Sequence, residues 1–158
     1  MPHIEIASLR ELNQRIGQEV AVSDWLEMTQ ERVDLFAQAT GDHQWIHVDP
    51  ARAARESPFG AAVAHGFLTL SLLSKFLGES IAFTSARVGV NYGLNRVRFT
   101  APVPVGARIR ARLRLRNVEP LETPGQGRGV QMTWDVTLER EGSDKPCLVA
   151  EWLTRRYE

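Results

Sequence analysis

Between Gly66 and Leu77 the residues Phe67, Leu68, Leu70, Leu72, Leu73, Phe76 and Leu77 cover most of the circumference of a helix. The positions between them are mostly small: Thr69, Ser71 and Ser74. A helix apolar all round is a buried helix. At this length it is too short to span a bilayer. Gly78 marks its expected end. Such a helix needs an apolar surface to enclose it, and the second half of the chain offers one.

After Arg87 the pattern has period two. Arg87 to Tyr92 and Asn95 to Thr100 read as strands, followed by a turn at Ala101–Gly106 that carries two prolines. From Arg108 to Arg116 arginine takes every even position, with Ile109, Ala111, Leu113 and Leu115 between. Val130, Met132, Trp134, Val136 and Leu138 alternate again, and a last strand is expected from Cys147 to Arg155. Glu119 to Gly129, rich in proline and glycine, reads as a loop. Strands with one apolar and one polar face make an antiparallel sheet. Such a sheet and an all-apolar helix satisfy each other when the sheet curves around the helix, an α+β arrangement.

The first half reads as helices and turns. Ser8 and Glu11 form a capping box, with Leu9, Leu12 and Ile16 on one face and Gly17 as a stop. Thr29 caps a helix whose inner face is Val33, Phe36, Ala37 and Thr40, and Gly41 ends it. Asp49-Pro50 starts a short helix that reaches Glu56. Ser57-Pro58-Phe59-Gly60 breaks it.

The 158 residues suit one domain, taken as 1–158, with a core that needs no metal or disulfide staple. Basic and acidic residues number 19 each, which argues against general nucleic-acid or membrane-surface binding. Cys147 is the only cysteine, which fits a reducing cytoplasm. The start, Met1-Pro2-His3-Ile4-Glu5, lacks the basic and apolar run of a signal peptide.

Chemistry concentrates between the first helices and the apolar one. Asp42 and His47 lie on the loop after Gly41. A histidine beside a carboxylate is a general base with its orienter; equally, Asp42 can simply cap backbone amides in a helix-exit turn. Gly66, at the helix start, presents a free N–H suited to a developing oxyanion, or merely allows a tight approach into the helix. His65 can be a packed, hydrogen-bonded histidine. Ser74 can bond a backbone carbonyl or reach a ligand. His43, His47, His65, Asp42 and Asp49 can be combined into a metal site, but the sequence has no His-Glu-x-x-His pattern. Cys147 reads as packing, and Gly125–Gly129 as a hairpin loop. The arginines at 108–116 read as a solvated face balanced by Asp135 and Glu139, with nucleic-acid binding as the alternative. Arg96 or Arg98 is available to meet phosphates of a large anionic ligand.

Two spaced motifs resemble a known family. Phe36-Ala37-x-x-Thr40-Gly41-Asp42-x-x-x-Ile46-His47-x-Asp49 and Phe59-Gly60-x-x-Val63-Ala64-His65-Gly66-Phe67-Leu68 resemble the MaoC-like dehydratases, whose best-understood members are (R)-specific enoyl-CoA hydratases. Gly-Asp-His-Gln-Trp-Ile-His looks like the nodulation-protein-N-like branch, and Val97 to Arg116 also resembles the family. The resemblance implies a hot-dog fold, usually paired as a homodimer, and a hydro-lyase of fatty-acid metabolism that adds water to trans-2-enoyl-CoA thioesters. It implies Asp42 and His47 as the catalytic pair, Gly66 as the oxyanion-hole amide and Ser74 as substrate-positioning. No cofactor or metal is implied. Gln44-Trp45 stands where many hydratases have Asn-Pro. An acyl-thioester-binding protein with little turnover and an acyl-CoA thioesterase are the alternatives on the same fold.

Overall fold

The computed structural model describes residues 4–158; Met1 to His3, part of the N-terminal stretch discussed above, lie outside it. The elements run β1 (Ile4–Ile6), a 3-10 helix (Leu9–Arg15), β2 (Glu19–Val22), β3 (Leu26–Glu27), α1 (Gln30–Thr40), α2 (Trp45–Val48), α3 (Pro50–Glu56), α4 (Gly66–Ser71), α5 (Leu73–Ser80), β4 (Ile81–Phe83), β5 (Val88–Arg98), β6 (Arg108–Thr123), β7 (Gly127–Arg140) and β8 (Leu148–Tyr157). The large sheet is antiparallel in the order β2-β6-β7-β8-β5, with β3 also pairing β6. β1 and β4 form a small parallel pair.

The expected enclosure is present. Leu68, Leu72, Leu73, Phe76 and Leu77 from α4 and α5 share one core with Ile109, Leu113, Leu115, Met132, Trp134, Val136, Leu138 and Trp152 from the sheet. This is the hot-dog arrangement. The two buried indoles keep their polar edges satisfied: Trp134 Nε1 donates to Thr154 Oγ1 at 3.0 Å and Trp152 Nε1 to Asn91 Oδ1 at 2.7 Å.

Several expectations need correction. The apolar helix is two helices. Leu72, at φ −69° and ψ −12°, separates α4 from α5, and α5 passes Gly78 to reach Ser80. Thr69 Oγ1 donates to Gly66 O and Ser71 Oγ to Phe67 O, the back-bonding that bends helices. Nor is the helix enclosed all round. Phe67, Ser71, Ser74 and Gly78 fall on one line, and that line is open. The Glu119–Gly129 loop is instead a hairpin, with β6 and β7 paired through Pro120 and Val130 to Thr123 and Gly127. Gly125 and Gly127 supply the positive φ, 80° and 86°, that so tight a reversal requires. The two strands expected after Arg87 are one, β5, with bulges at Asn91/Gly93 and Leu94/Arg96. The first helix is 3-10. Its three-residue turn buries Leu9 and Leu12 but leaves Ile16 outside.

The arginine stripe meets acids. Arg110 and Arg112 both reach Glu139, at 2.7 and 2.6 Å, Arg112 also reaches Glu19, and Arg116 bridges Asp135 and Glu151. The solvated-face reading holds for these residues.

Candidate active site

Local chemistry sets the loop that carries the acid and the base. Thr29 caps α1 by accepting from Arg32 N, and Gly41 ends it in the left-handed region at φ 79°. Asp42 follows. Its Oδ1 accepts from Gln44 N at 3.3 Å, so the carboxylate does cap a backbone amide. That bond closes the turn before α2, a single helical turn where a continuous loop was expected, and His47 lies within it. Gln30 of α1 donates to His47 O at 2.8 Å and so ties the turn back to the preceding helix. Asp49 caps α3 through Arg52 N, with Pro50 at its first position.

His47 is buried, and its orientation is specified. Its Nδ1 lies 2.6 Å from Val63 O. A carbonyl only accepts, so Nδ1 carries the proton and Nε2 is left as a bare base. Burial lowers the pKa of His47 from its ordinary 6.5; the bond to Val63 and the charge of Asp42 act the other way. The ring is therefore neutral at neutral pH. His65 stacks on it with ring centroids 3.8 Å apart, and Phe36 packs on His65 at 5.0 Å. His65 Nε2 lies 2.9 Å from Asp42 O and 3.9 Å from Asp42 Oδ2. It thus braces both partners, by stacking on one and by a hydrogen bond to the other's main chain.

An apolar cavity of about 350 Å³ opens beside these groups. His47, Gly66, Val63, Thr69, Phe99 and Cys147 are among its walls. Gly66 is the first residue of α4, so its N–H is one of those the helix itself cannot satisfy, at the positive end of the dipole. The ring of Phe99 lies 3.0–3.2 Å from where a Cβ on residue 66 would stand, so glycine is what allows this approach. The Cys147 thiol is buried on this cavity and donates to Leu138 O, and desolvation raises its pKa to about 11. It is no nucleophile at neutral pH.

The structure brings Asp42, His47 and His65 together, with one ligand atom of each lying within 4.8 Å of the others. Those three can meet a metal ion; His43 and Asp49 are not part of the group. Each ring already commits one nitrogen to a backbone carbonyl, which leaves one lone pair apiece. Ser74 is placed differently. It is exposed, and it lines a separate cavity with Leu77, Arg87, Asn91 and Arg156. Arg96 and Arg98 line a third, with Arg116 and Glu151. The residues that sequence reasoning left undefined or missed are His65, Phe99, Gln30 and Val63. Only His65 carried a signal, its place beside Gly66.

A family model described as the MaoC like domain matches residues 11–134. The 3-hydroxyacyl-thioester dehydratase Z of Mycobacterium tuberculosis is 52% identical over 148 residues, covering 94% of this chain and 95% of that protein. Nodulation protein N of Rhizobium leguminosarum bv. viciae is 48% identical over 151 residues, covering 93% and 89%. Among solved structures, the (R)-hydratase from A. caviae involved in PHA biosynthesis superposes with a TM-score of 0.69 at 23% identity, covering 88% of this chain and 94% of that one, a likeness of fold. With the family model spanning most of its length, and this helix wrapped by this sheet, the chain belongs to the MaoC-like dehydratase family.

Proposed function

We propose that the chain is an (R)-specific enoyl-CoA hydratase, and in reverse a 3-hydroxyacyl-thioester dehydratase. One observation carries the reading. His47 has its Nδ1–H held by Val63 O, so Nε2 is bare and basic; one ring nitrogen of His47 lies within 4.8 Å of an Asp42 carboxylate oxygen, and the ring lines a cavity that also meets the start of α4. The relative that is 52% identical bears the name of a 3-hydroxyacyl-thioester dehydratase, which supports the same reaction. The (R) configuration rests on the family resemblance.

In the proposed mechanism the thioester carbonyl accepts from the Gly66 N–H. His47 and Asp42 hold a water over the β-carbon. The water oxygen bonds to that carbon as the C=C π pair shifts toward the carbonyl and His47 takes the water's proton; that proton then passes by way of the Asp42 carboxylate to the α-carbon, which restores both groups. The enolate charge gathers on the carbonyl oxygen, where the α4 dipole favours it. Ser74, on the same pair of helices, is assigned to substrate positioning. The protein acts in the cytoplasm; its single cysteine fits a reducing compartment.

The active unit in this reading is a homodimer. β5 ends the large sheet with one edge unpaired, and Val88, Tyr92, Leu94 and Phe99 stand exposed along and just beyond it. Phe67, 68% exposed, heads the open stripe of α4 and α5. An unpaired edge that exposes these apolar residues beside a stripe of small ones suits pairing with a second copy.

A panel of trans-2-enoyl-CoAs of graded length tests the activity, followed by loss of the conjugated thioester absorbance. Hydration that couples to an (R)-specific but not an (S)-specific dehydrogenase is expected. Release of free thiol without a hydroxyacyl product would establish a thioesterase instead, and saturable binding without turnover a binding protein.

A further inference from the structure

The second cavity, about 380 Å³, lies between α5, β4, the first half of β5 and β8. Its polar groups are donors. Arg156 reaches it from β8, and no aspartate or glutamate lines it. The Arg156 guanidinium packs against two neighbours. Its Cζ rests 4.7 Å from the centroid of the Phe83 ring. It also lies against Gly89, where any Cβ would stand 2.0 Å from its Nη1 and 2.5 Å from its Cζ. Glycine at 89 is therefore the condition for this placement. Among the described residues Arg156 forms no ion pair, and its one protein hydrogen bond is from Nη1 to Arg155 O, at 3.2 Å. Burial lowers its pKa, with no acidic neighbour to offset the effect. A half-buried cation without a counter-charge is partly desolvated, and an anion that enters offsets that cost.

The neighbours point the same way. Asn91 Oδ1 is occupied by Trp152 Nε1, which leaves its amide N–H₂ to donate. Thr154 Oγ1 already accepts from Trp134 Nε1, which leaves its O–H to donate. Ser74 adds a hydroxyl. Leu77, Ile81, Ala86, Val88 and Val90 supply an aliphatic part of the wall, beside Trp152 and Arg87, whose guanidinium is already bonded to Glu158 O and Gln126 O. A guanidinium offers paired N–H donors along its edge, and these fit the two oxygens of a carboxylate.

We propose that this cavity is a binding site for an aliphatic carboxylate, with Arg156 taking the carboxylate and the apolar wall taking the stem. The volume admits about a dozen water-sized groups, enough for a medium chain. The carboxylate has two available sources: a free carboxylic acid, or the far end of an ω-carboxyacyl thioester. Only the second rests on the hydratase reading.

The test is a calorimetric titration of the full chain with octanoate and with octanamide, its uncharged isostere. Octanoate is expected to bind more tightly. Arg156→Met, matched in length and without charge, should weaken octanoate by roughly tenfold or more, the range of a hydrogen bond to a charged group. It should leave octanamide unchanged. Gly89→Ala keeps the charge but displaces the guanidinium, and should weaken octanoate too; it decides the matter if Arg156→Met does not fold by circular dichroism. Equal binding of the two probes, no binding of octanoate, or an octanoate affinity untouched by both substitutions would overturn the proposal. The source is read from kcat/KM for ω-carboxyl and methyl-ended enoyl thioesters of equal length. A preference for the acidic chain that Arg156→Met abolishes assigns the site to the substrate. An unchanged ratio alongside weakened octanoate binding assigns it to a free acid. If neither thioester is hydrated, the hydratase reading fails while the titration still stands.

Discussion

At the scale of single residues the site is a matter of which nitrogen carries the proton. Val63 O fixes that on His47, and burial keeps the ring neutral. His47→Ala and Asp42→Asn should each lower kcat by about 10²–10⁴-fold, the usual contribution of a positioned acid or base. KM should change far less, because both groups act in the transition state while the rest of the thioester supplies ground-state binding. Steady-state kinetics checks this, and a folded His47→Ala protein with near-full rate would remove the assignment. The pH profile follows from the same burial. The base works only when deprotonated, and its pKa lies below 6.5. The acid limb of kcat/KM should therefore bend below 6.5 and stay flat through neutrality. Asp42 raises the His47 pKa; in Asp42→Asn the residual activity should carry its acid limb to still lower pH. Cys147 supplies a contrast. With its pKa at about 11 and its side chain buried, it should resist a thiol-specific alkylating reagent at neutral pH and react on unfolding. Mass spectrometry before and after denaturant reads the difference.

At the scale of elements, α4 is the decisive piece, because it delivers a free N–H to the cavity. Gly66→Pro tests that. Proline is tolerated at the first position of a helix, and His65 before it, at φ −59° and ψ 137°, already has the extended backbone proline requires of its predecessor. The substitution removes the donor, so kcat should fall by about 10²–10³-fold, as for loss of an oxyanion-hole donor. Gly66→Ala keeps the N–H and only pushes the Phe99 ring, which is exposed and can give way, so its loss should be milder. Equal losses in the two variants would show that crowding matters and the donor does not. The elements were legible where one force dominated. Alternation between arginine and aliphatic residues places β6, and burial of Val33 and Ala37 follows from helical spacing. What escaped was set by local competition. The break at Leu72 comes from two hydroxyls bonding back to their own helix, and the turn that leads into α2 from a carboxylate that captures one amide. Phe99 over Gly66 and Gln30 on His47 O join residues 33 and 17 positions apart, and no periodicity encodes such contacts.

At the scale of the molecule, the single chain leaves its sheet unfinished. Edge strands are commonly blunted by charge, bulges, proline or shortness. β5 has two bulges and carries Arg96 and Arg98 toward its end, yet it runs through 11 residues and shows Val88, Tyr92 and Leu94 to water. The open line of Phe67, Ser71, Ser74 and Gly78 lies on the helices that the same sheet encloses, and Ser74 shares a cavity with the start of β5. Edge and stripe therefore form one surface, and a second copy covers both with a single two-fold operation. Asp42 gives the pairing a functional consequence. Its carboxylate is 54% exposed in one chain, and a carboxylate that relays a proton works better where bulk water is excluded. Light scattering at micromolar concentration should give twice the 17.7 kDa of one chain. A lysine on the edge, Leu94→Lys, places a charge where strands must approach and should shift the mass to that of one chain. Its circular dichroism should be unchanged, because Leu94 lies outside the buried core. If the wild type scatters as a monomer, the dimer is wrong. If Leu94→Lys stays dimeric, the interface lies elsewhere than on β5.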